Sequence, residues 1–353
     1  MAEGRLAPPV DAVSNAEAGA NAVAGTSASA EPSAVASGFP TLLGHLRIMR
    51  VDHWFKNVFV IPGIVAAIAI DPEHVAPDLL FRIAVGLISV CIVASSNYVI
   101  NELMDAPFDR HHPIKAARPV PSGQVHVPLA YLQWIVLGAL GLALAAQVSI
   151  AFTITMASLL VMGCLYNIPP IRIKDQPYLD VSSEAVNNPI RLVAGWCIAT
   201  TAGFAPASLI LSYWMIGSYF MALKRFAEIR AFADRERLAR YRRSLANLDE
   251  HQFLVSIVFY GSAAMLFFGA FIMRYRLELM LSFPLVALVM SSYLSVAFKE
   301  NSAAQHPEKL YREPALMAVV IACTLLMLAL LFWDIPQLHE HTRPTAPPIG
   351  SAR

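Results

Sequence analysis

Apolar residues run in long stretches along this chain, and polar residues gather in the gaps between them. A bilayer span takes about 20 mostly apolar residues. Nine stretches fit that pattern: 55–70, 78–101, 128–146, 149–167, 179–202, 206–223, 251–273, 278–297 and 314–333. The first is short and borrows from residues 39–54, where Arg47, Arg50 and Asp52 interrupt apolar positions as in an interfacial amphipathic helix. The pattern predicts an all-α fold, a polytopic membrane bundle of nine transmembrane helices occupying residues 39–333. Residues 1–38 are rich in Ala, Ser, Pro and Gly without an apolar period and read as a disordered tail. They lack the continuous apolar core of a signal peptide. Residues 334–353 are polar and Pro-containing and read as a flexible C-terminal tail.

Composition agrees. Residues of the set AVILMFWYC make up 57% of the chain and charged residues 14%, against about 25% charged in a soluble domain. So little charge could not cover a water-facing surface. Lys and Arg number 26 and Asp and Glu 25, so no global positive field attracts nucleic acid. Cys91, Cys164, Cys197 and Cys323 each sit in an apolar run, without the spacing of a disulfide framework or a zinc site.

Basic residues set the orientation. They concentrate before span 1 and in the gaps after spans 2, 4, 6 and 8, above all in 224–243, whereas the other side holds Arg82, Arg274, Arg276, Arg343 and Arg353. The positive-inside rule then predicts a cytoplasmic N-terminus, a C-terminus on the opposite side and, for a bacterial chain, an inner-membrane location. The 224–243 run also suits anionic lipid headgroups.

Acidic and amide side chains at span ends are costly in a membrane and default to function. The first cluster is Asn97, Asn101, Glu102, Asp105 and Asp109. Steps of four residues drift by about 40° on a helix, so Asn97, Asn101 and Asp105 share one face. Pro107 weakens the helix there, which predicts Asp109 just beyond its end. The plainer alternative is a helix cap or solvated loop acids. The second cluster is Asp180, Glu184, Asn188 and Arg191, all within about 80° on one helix face. Pro189 interrupts that helix, as suits a cavity-lining segment. Here the alternative is an internal ion pair between Glu184 and Arg191.

Two acidic clusters on different helices would repel across an apolar cavity, and cations would relieve that repulsion. Hard oxygen donors favour Mg²⁺, with Mn²⁺ as a substitute, held together with phosphate oxygens. The combination predicts a divalent-metal diphosphate site. Lys56, Lys115, Arg118, Arg172 and Lys174 suit anionic substrates, though each also fits the topology rule. Lys224, Arg225 and Glu228 lie at the membrane edge within reach of substrate. Adjacent His111 and His112 read as turn residues, with no zinc spacing.

These residues also carry a resemblance. NELMDAPFDRHHPIKAARPVPSG (101–123) resembles the first signature of the UbiA-type intramembrane prenyltransferases, written N-D-xx-D-xxx-D, and YNIPPIRIKDQPYLDVSSE (166–184) resembles their second acidic region. Glu102 stands where the family usually has Asp, and Glu184 where it often does. Trp54-Phe-Lys56-Asn57, His112-Pro-x-Lys115-xx-Arg118-Pro and Lys224-Arg225-xx-Glu228 look more like the branch that uses 5-phosphoribosyl diphosphate and a polyprenyl phosphate. Aromatic-acceptor members tend to carry Arg-Thr in place of Ile114-Lys115.

The resemblance implies that Asn101, Asp105, Asp109, Asp180 and Glu184 hold Mg²⁺ on a diphosphate, with the four carboxylates as catalytic groups. It implies substrate binding by Lys56, Asn97, Asn101, Lys115, Arg118, Arg172, Lys174, Asn188, Arg191 and Lys224. The implied reaction moves phosphoribose onto a polyprenyl phosphate lipid within the membrane, with no role for nucleic acid and with a homo-oligomer left open. Two alternatives are prenyl transfer from a polyprenyl diphosphate to an aromatic or quinone precursor, and an ion-coupled transporter whose buried acids carry ions.

Overall fold

The computed structural model describes residues 39–110, 115–231, 243–245, 248–299, 302–305 and 307–341. The expected tail 1–38, the pair His111 and His112, and residues from 342 onward lie outside the described residues. The described residues are helical, with one isolated bridge between Val75 and Thr200 and no strand among them.

Helix α1 (Leu42–Ile48) starts at Thr41, whose hydroxyl accepts from the Gly44 amide at 3.0 Å. Arg50, at φ 49°, turns the chain into a 3-10 segment (Val51–Val60) that runs into α2 (Ile61–Ile70). Residues Leu42–Ile70 together are long and apolar enough to cross a membrane, so the short first span does draw on the segment before it. The long α3 (Leu79–Asp109) is followed by α4 (Val127–Ala146) and α5 (Ile150–Asn167). Next come two short helices, α6 (Leu179–Ala185) and α7 (Asn187–Ala199), and then α8 (Ala207–Ala231). Helices α9 (Glu250–Tyr275), α10 (Phe283–Ala297), α11 (Pro314–Phe332) and α12 (Pro336–His341) complete the chain.

Seven stretches among the described residues are long and apolar enough to span a bilayer, rather than the nine expected. The two that fall short, 179–202 and 206–223, carry the second acidic cluster and its arginine. The first breaks at Val186 into α6 and α7, because Pro189 has no N–H to give the carbonyl four residues back. The second, α8, is 25 residues long but ends in Lys224, Arg225, Glu228 and Arg230. Along the outer faces, Val258 is 68% exposed and Leu266 70% exposed, which suits lipid rather than water.

Two other expectations change. Helix α3 continues through Pro107 to Asp109, since the proline removes one backbone bond in the last turn and Arg110 still bonds Ala106 at 3.2 Å. The expected C-terminal tail contains α12, where His339 meets the buried Glu278 carboxylate at 2.8 Å.

One apolar core joins α2, α3, α5 and α7 through Ile64, Val90, Val93, Phe152, Met156 and Leu192. A second joins α8, α9 and α10 through Leu223, Phe226, Ile257 and Tyr293. The acidic clusters lie where the ends of α3 and α5, the 168–178 loop, α6 and the end of α8 meet.

Candidate functional site

The first cluster is built by α3 and the loop after α5. Asp105 Oδ1 accepts from Lys174 Nζ at 2.5 Å and from an Arg172 amino group at 2.9 Å. Lys174 also donates to Asn167 Oδ1 at 2.8 Å, and Asn101 donates to that same oxygen at 2.6 Å. Arg172 reaches Asp175 at 3.1 Å and lies 4.8 Å from the Phe108 ring centre. Its backbone sits at φ 30° and that of Tyr178 at φ 61°, so the loop that carries both cations is held in a costly conformation at two non-glycine residues. Burial draws the Lys174 ammonium below the ordinary lysine range, with Asp105 opposing that shift.

One turn on, Asp109 pairs with Arg118 at 2.6 Å and stands 4.0 Å from Lys115. Glu102 turns aside and accepts from the Val120 amide at 3.1 Å, bracing the loop.

The second cluster centres on Arg225 of α8, which is almost wholly buried. Its guanidinium donates to Asp180 at 2.8 Å, to Glu184 at 2.6 Å and to Glu228 at 3.0 Å. Ser244 lies 3.3 Å from Asp180. The Tyr166 hydroxyl lies 3.1 Å from Asp180 and 3.3 Å from Glu184, so two carboxylates share its one proton.

Tyr166 joins the two clusters. Its ring centre is 5.7 Å from Lys174 Nζ, and its hydroxyl is held by the second acids. The acids on α3 and α6 thus belong to one network. They do not face each other as bare charges, which corrects the expected repulsion: Arg172, Lys174, Arg118 and Arg225 already neutralise them.

The sequence places Asp180, Glu184, Asn188 and Arg191 on one face, but the break at Val186 separates them. The suggested Glu184–Arg191 pair does not form, because Glu184 goes to Arg225. Arg191 instead donates to Asn57 Oδ1 at 3.1 Å and to the Asn187 carbonyl at 3.3 Å. Asn188 packs against Gly217 of α8. Lys224 is half-buried on the α8 face shared with Gly217 and Tyr213, which lie seven and eleven residues earlier. Lys56 is half-buried on the 3-10 segment. Asn97 points at α5, donating to the Leu159 carbonyl at 2.9 Å, with Gly163 leaving room for its amide.

The donors fit a hard divalent cation. Asp180 and Glu184 bring oxygens to one point, marked by the Tyr166 hydroxyl. Among the described residues no three of His, Cys, Asp and Glu gather into a protein cage. Mg²⁺ commonly takes one or two carboxylates and completes its shell with water and phosphate. Tyr166, Asn167 and Ser244 carried no role in the sequence, and Arg225 stood there as a membrane-edge residue and as part of the Lys224-Arg225-xx-Glu228 motif, not as the partner of the second acids. The signal for Arg225 is its spacing of three residues from Glu228.

The sequence profile described as the UbiA prenyltransferase family matches residues 59–320. The chain belongs to the UbiA prenyltransferase family. A decaprenyl-phosphate phosphoribosyltransferase of Mycolicibacterium smegmatis is 31% identical over 192 residues, covering 53% of this chain and 57% of that one. A protein of the same description from Corynebacterium glutamicum is 30% identical over 198 residues, covering 53% and 54%. The chain thus matches little more than half the length of these relatives. A UbiA homolog from Archaeoglobus fulgidus, solved with DMAPP and Mg²⁺, superposes with a TM-score of 0.62 at 20% identity, covering 82% of this chain and 98% of that one. Family membership, with seven helices among the described residues long and apolar enough to cross a bilayer, makes this chain a multi-pass helical membrane protein.

Proposed function

We propose that this chain is a membrane transferase that moves 5-phosphoribose from phosphoribosyl diphosphate to a polyprenyl phosphate, releasing diphosphate. The observation that carries this reading is the Tyr166–Lys174 link, which joins two acidic helix ends and three paired cations, Arg172, Lys174 and Arg225, in one network. The names of the relatives from Mycolicibacterium smegmatis and Corynebacterium glutamicum point the same way. Family membership favours transfer over ion-coupled transport.

Each part has a role. An oxygen of the lipid phosphate attacks the anomeric carbon, and the bond from that carbon to the diphosphate breaks. The diphosphate leaves with the bonding electrons. A phosphate nucleophile is already anionic at neutral pH, so no strong general base is needed. Negative charge grows on the leaving group, where Lys115, Arg118, Arg172 and Lys174 supply donors. Asn101, Asp105, Asp109, Asp180 and Glu184 would hold Mg²⁺, which neutralises the leaving diphosphate when bound. Asn97 and Glu102 keep α3 and its loop in register. Lys56 of the 3-10 segment, Asn188 of α7 and Lys224 of α8 would add substrate contacts.

The test compares donors in purified protein with Mg²⁺. Release of diphosphate from phosphoribosyl diphosphate only when polyprenyl phosphate is present is expected. Release from a polyprenyl diphosphate with an aromatic acid would replace this reading by prenyl transfer. In this reading the reaction faces the cytoplasm, with the N-terminus on that side. A reporter fused to the C-terminus should then be active only outside the cytoplasm, and cytoplasmic activity would reverse the orientation.

A further inference from the structure

We infer that Arg191 and Asn57 form an intramembrane site for a phosphate monoester, distinct from the diphosphate network and deeper in the bundle. The inference rests on the transferase reading above and adds a second anion to it.

The reason is an uncompensated charge. Arg225 meets three carboxylates, and Arg82 meets four backbone carbonyls. Arg191 has only Asn57 Oδ1 and the Asn187 carbonyl, both neutral. No carboxylate pairs with it among the described residues, and its second amino group has no acceptor there. An arginine keeps its proton under all ordinary conditions. A guanidinium inside a membrane bundle calls for a counter-charge or marks a ligand path.

Its surroundings are built for an oxyanion. The titratable neighbours of Arg191 are Tyr98, Tyr213 and Cys91, none of which is a carboxylate. Asn57 is buried and fixed from behind, since its amide nitrogen donates to Cys91 Sγ at 3.2 Å. That bond aims Asn57 Oδ1 at the guanidinium and sets the fork in place. A planar fork held by Asn57 Oδ1 and the Asn187 carbonyl, with one amino group left open among the described residues, matches phosphate oxygens.

Position selects the ligand. Arg191 follows Glu184 by seven residues, on α7 just past the break that ends α6. Asn187 ties the two positions together, since its side-chain amide donates to the Glu184 carbonyl at 3.1 Å and its own carbonyl accepts from Arg191 at 3.3 Å. A reactant whose diphosphate sits at Glu184 leaves the partner phosphate of the reacting pair within reach of Arg191. Two groups have this chemistry: the 5-phosphate of the donor and the phosphate of the lipid acceptor. An all-apolar prenyl tail there would leave the guanidinium bare.

The experiment titrates full-length protein in detergent with phosphoribosyl diphosphate, inorganic diphosphate, a short-chain polyprenyl phosphate and the matching polyprenol. In R191M, one phosphate monoester should bind about ten- to a hundredfold more weakly, the range of a lost charge-assisted hydrogen bond. Inorganic diphosphate and polyprenol should stay within about twofold. Loss confined to phosphoribosyl diphosphate assigns the 5-phosphate, and loss confined to the lipid assigns the acceptor. Unchanged affinity for both overturns the site.

N57D is the second arm and decides the matter if R191M does not fold. It places a carboxylate beside the guanidinium, so it should raise the melting temperature while weakening the same probe. Unchanged probe affinity in N57D again overturns the site. Diphosphate release by the wild type is measured in parallel. Its absence strikes the transferase reading, whereas intact release with unchanged variant affinities strikes only the Arg191 site.

Discussion

At the scale of single residues, Lys174 shows how position changes chemistry. Burial disfavours its charged form, and Asp105 restores part of it, so the ammonium loses its proton below the ordinary value of 10.5. Charged Lys174 therefore costs the folded state at neutral pH, and that cost fades as pH rises through the folded value toward the unfolded one. Anion binding runs the other way. Donor affinity should fall over the same alkaline window while this contribution to stability rises, and Lys174→Met should flatten the affinity profile measured by titration.

Arg82 teaches a different lesson. In sequence it is one of few basic residues on the far side. In the structure it donates to the carbonyls of Ile198, Val148, Cys197 and Thr200 at 2.8 to 3.0 Å. It caps the end of α7, where carbonyls lack partners and positive charge is favoured. Arg82→Leu should lower stability by more than about 3 kcal/mol, since buried acceptors would lose their donors. Thermal unfolding in detergent checks this. The acids on α3 were legible because charge in an apolar run has few uses. Arg82 and Tyr166 were not, since their partners lie far away in the chain.

At the scale of elements, the break in the fifth predicted span matters most. Pro189 announced an interruption, but not that it would send Glu184 to α8 and Arg191 to the first span. Spacing on an ideal helix fails where the helix fails. The second piece, α7, is fixed by close approach to α2. A side chain at Gly63 would fall on the Leu192 carbonyl, and one at Gly195 on the Val60 carbonyl. Only glycine lets these backbones meet, and their meeting brings Asn57 beside Arg191. Gly195→Val should cost about 3 kcal/mol or more through overpacking. The readout is again thermal unfolding, with Gly195→Ala as the milder variant expected to fall between.

At the scale of the whole molecule, hydropathy found the bundle, and seven of the nine expected spans meet the length and apolarity of a crossing helix among the described residues. The second acidic cluster sits on the two that do not, and the first at the end of α3, which does. A helix that must carry Asp180, Glu184, Arg225 and Glu228 cannot also look like a lipid-facing span. The acidic signatures and the family were readable along the chain. The cations that neutralise those acids were readable only as topology markers, because their pairing depends on loops that fold back beneath α3 and α6.

Arg225 leaves one consequence for how guests enter. A divalent ion arriving at Asp180 and Glu184 meets a guanidinium already seated there. Diphosphate offers that guanidinium a new partner and frees carboxylate oxygens, so each guest favours the other by the same factor. Mn²⁺ followed by spin resonance should bind weakly alone and more tightly with inorganic diphosphate. Arg225→Met should tighten binding of the lone ion, because three carboxylates would then repel without a cation between them. Ion and pyrophosphate are expected to enter as one parcel of much reduced charge.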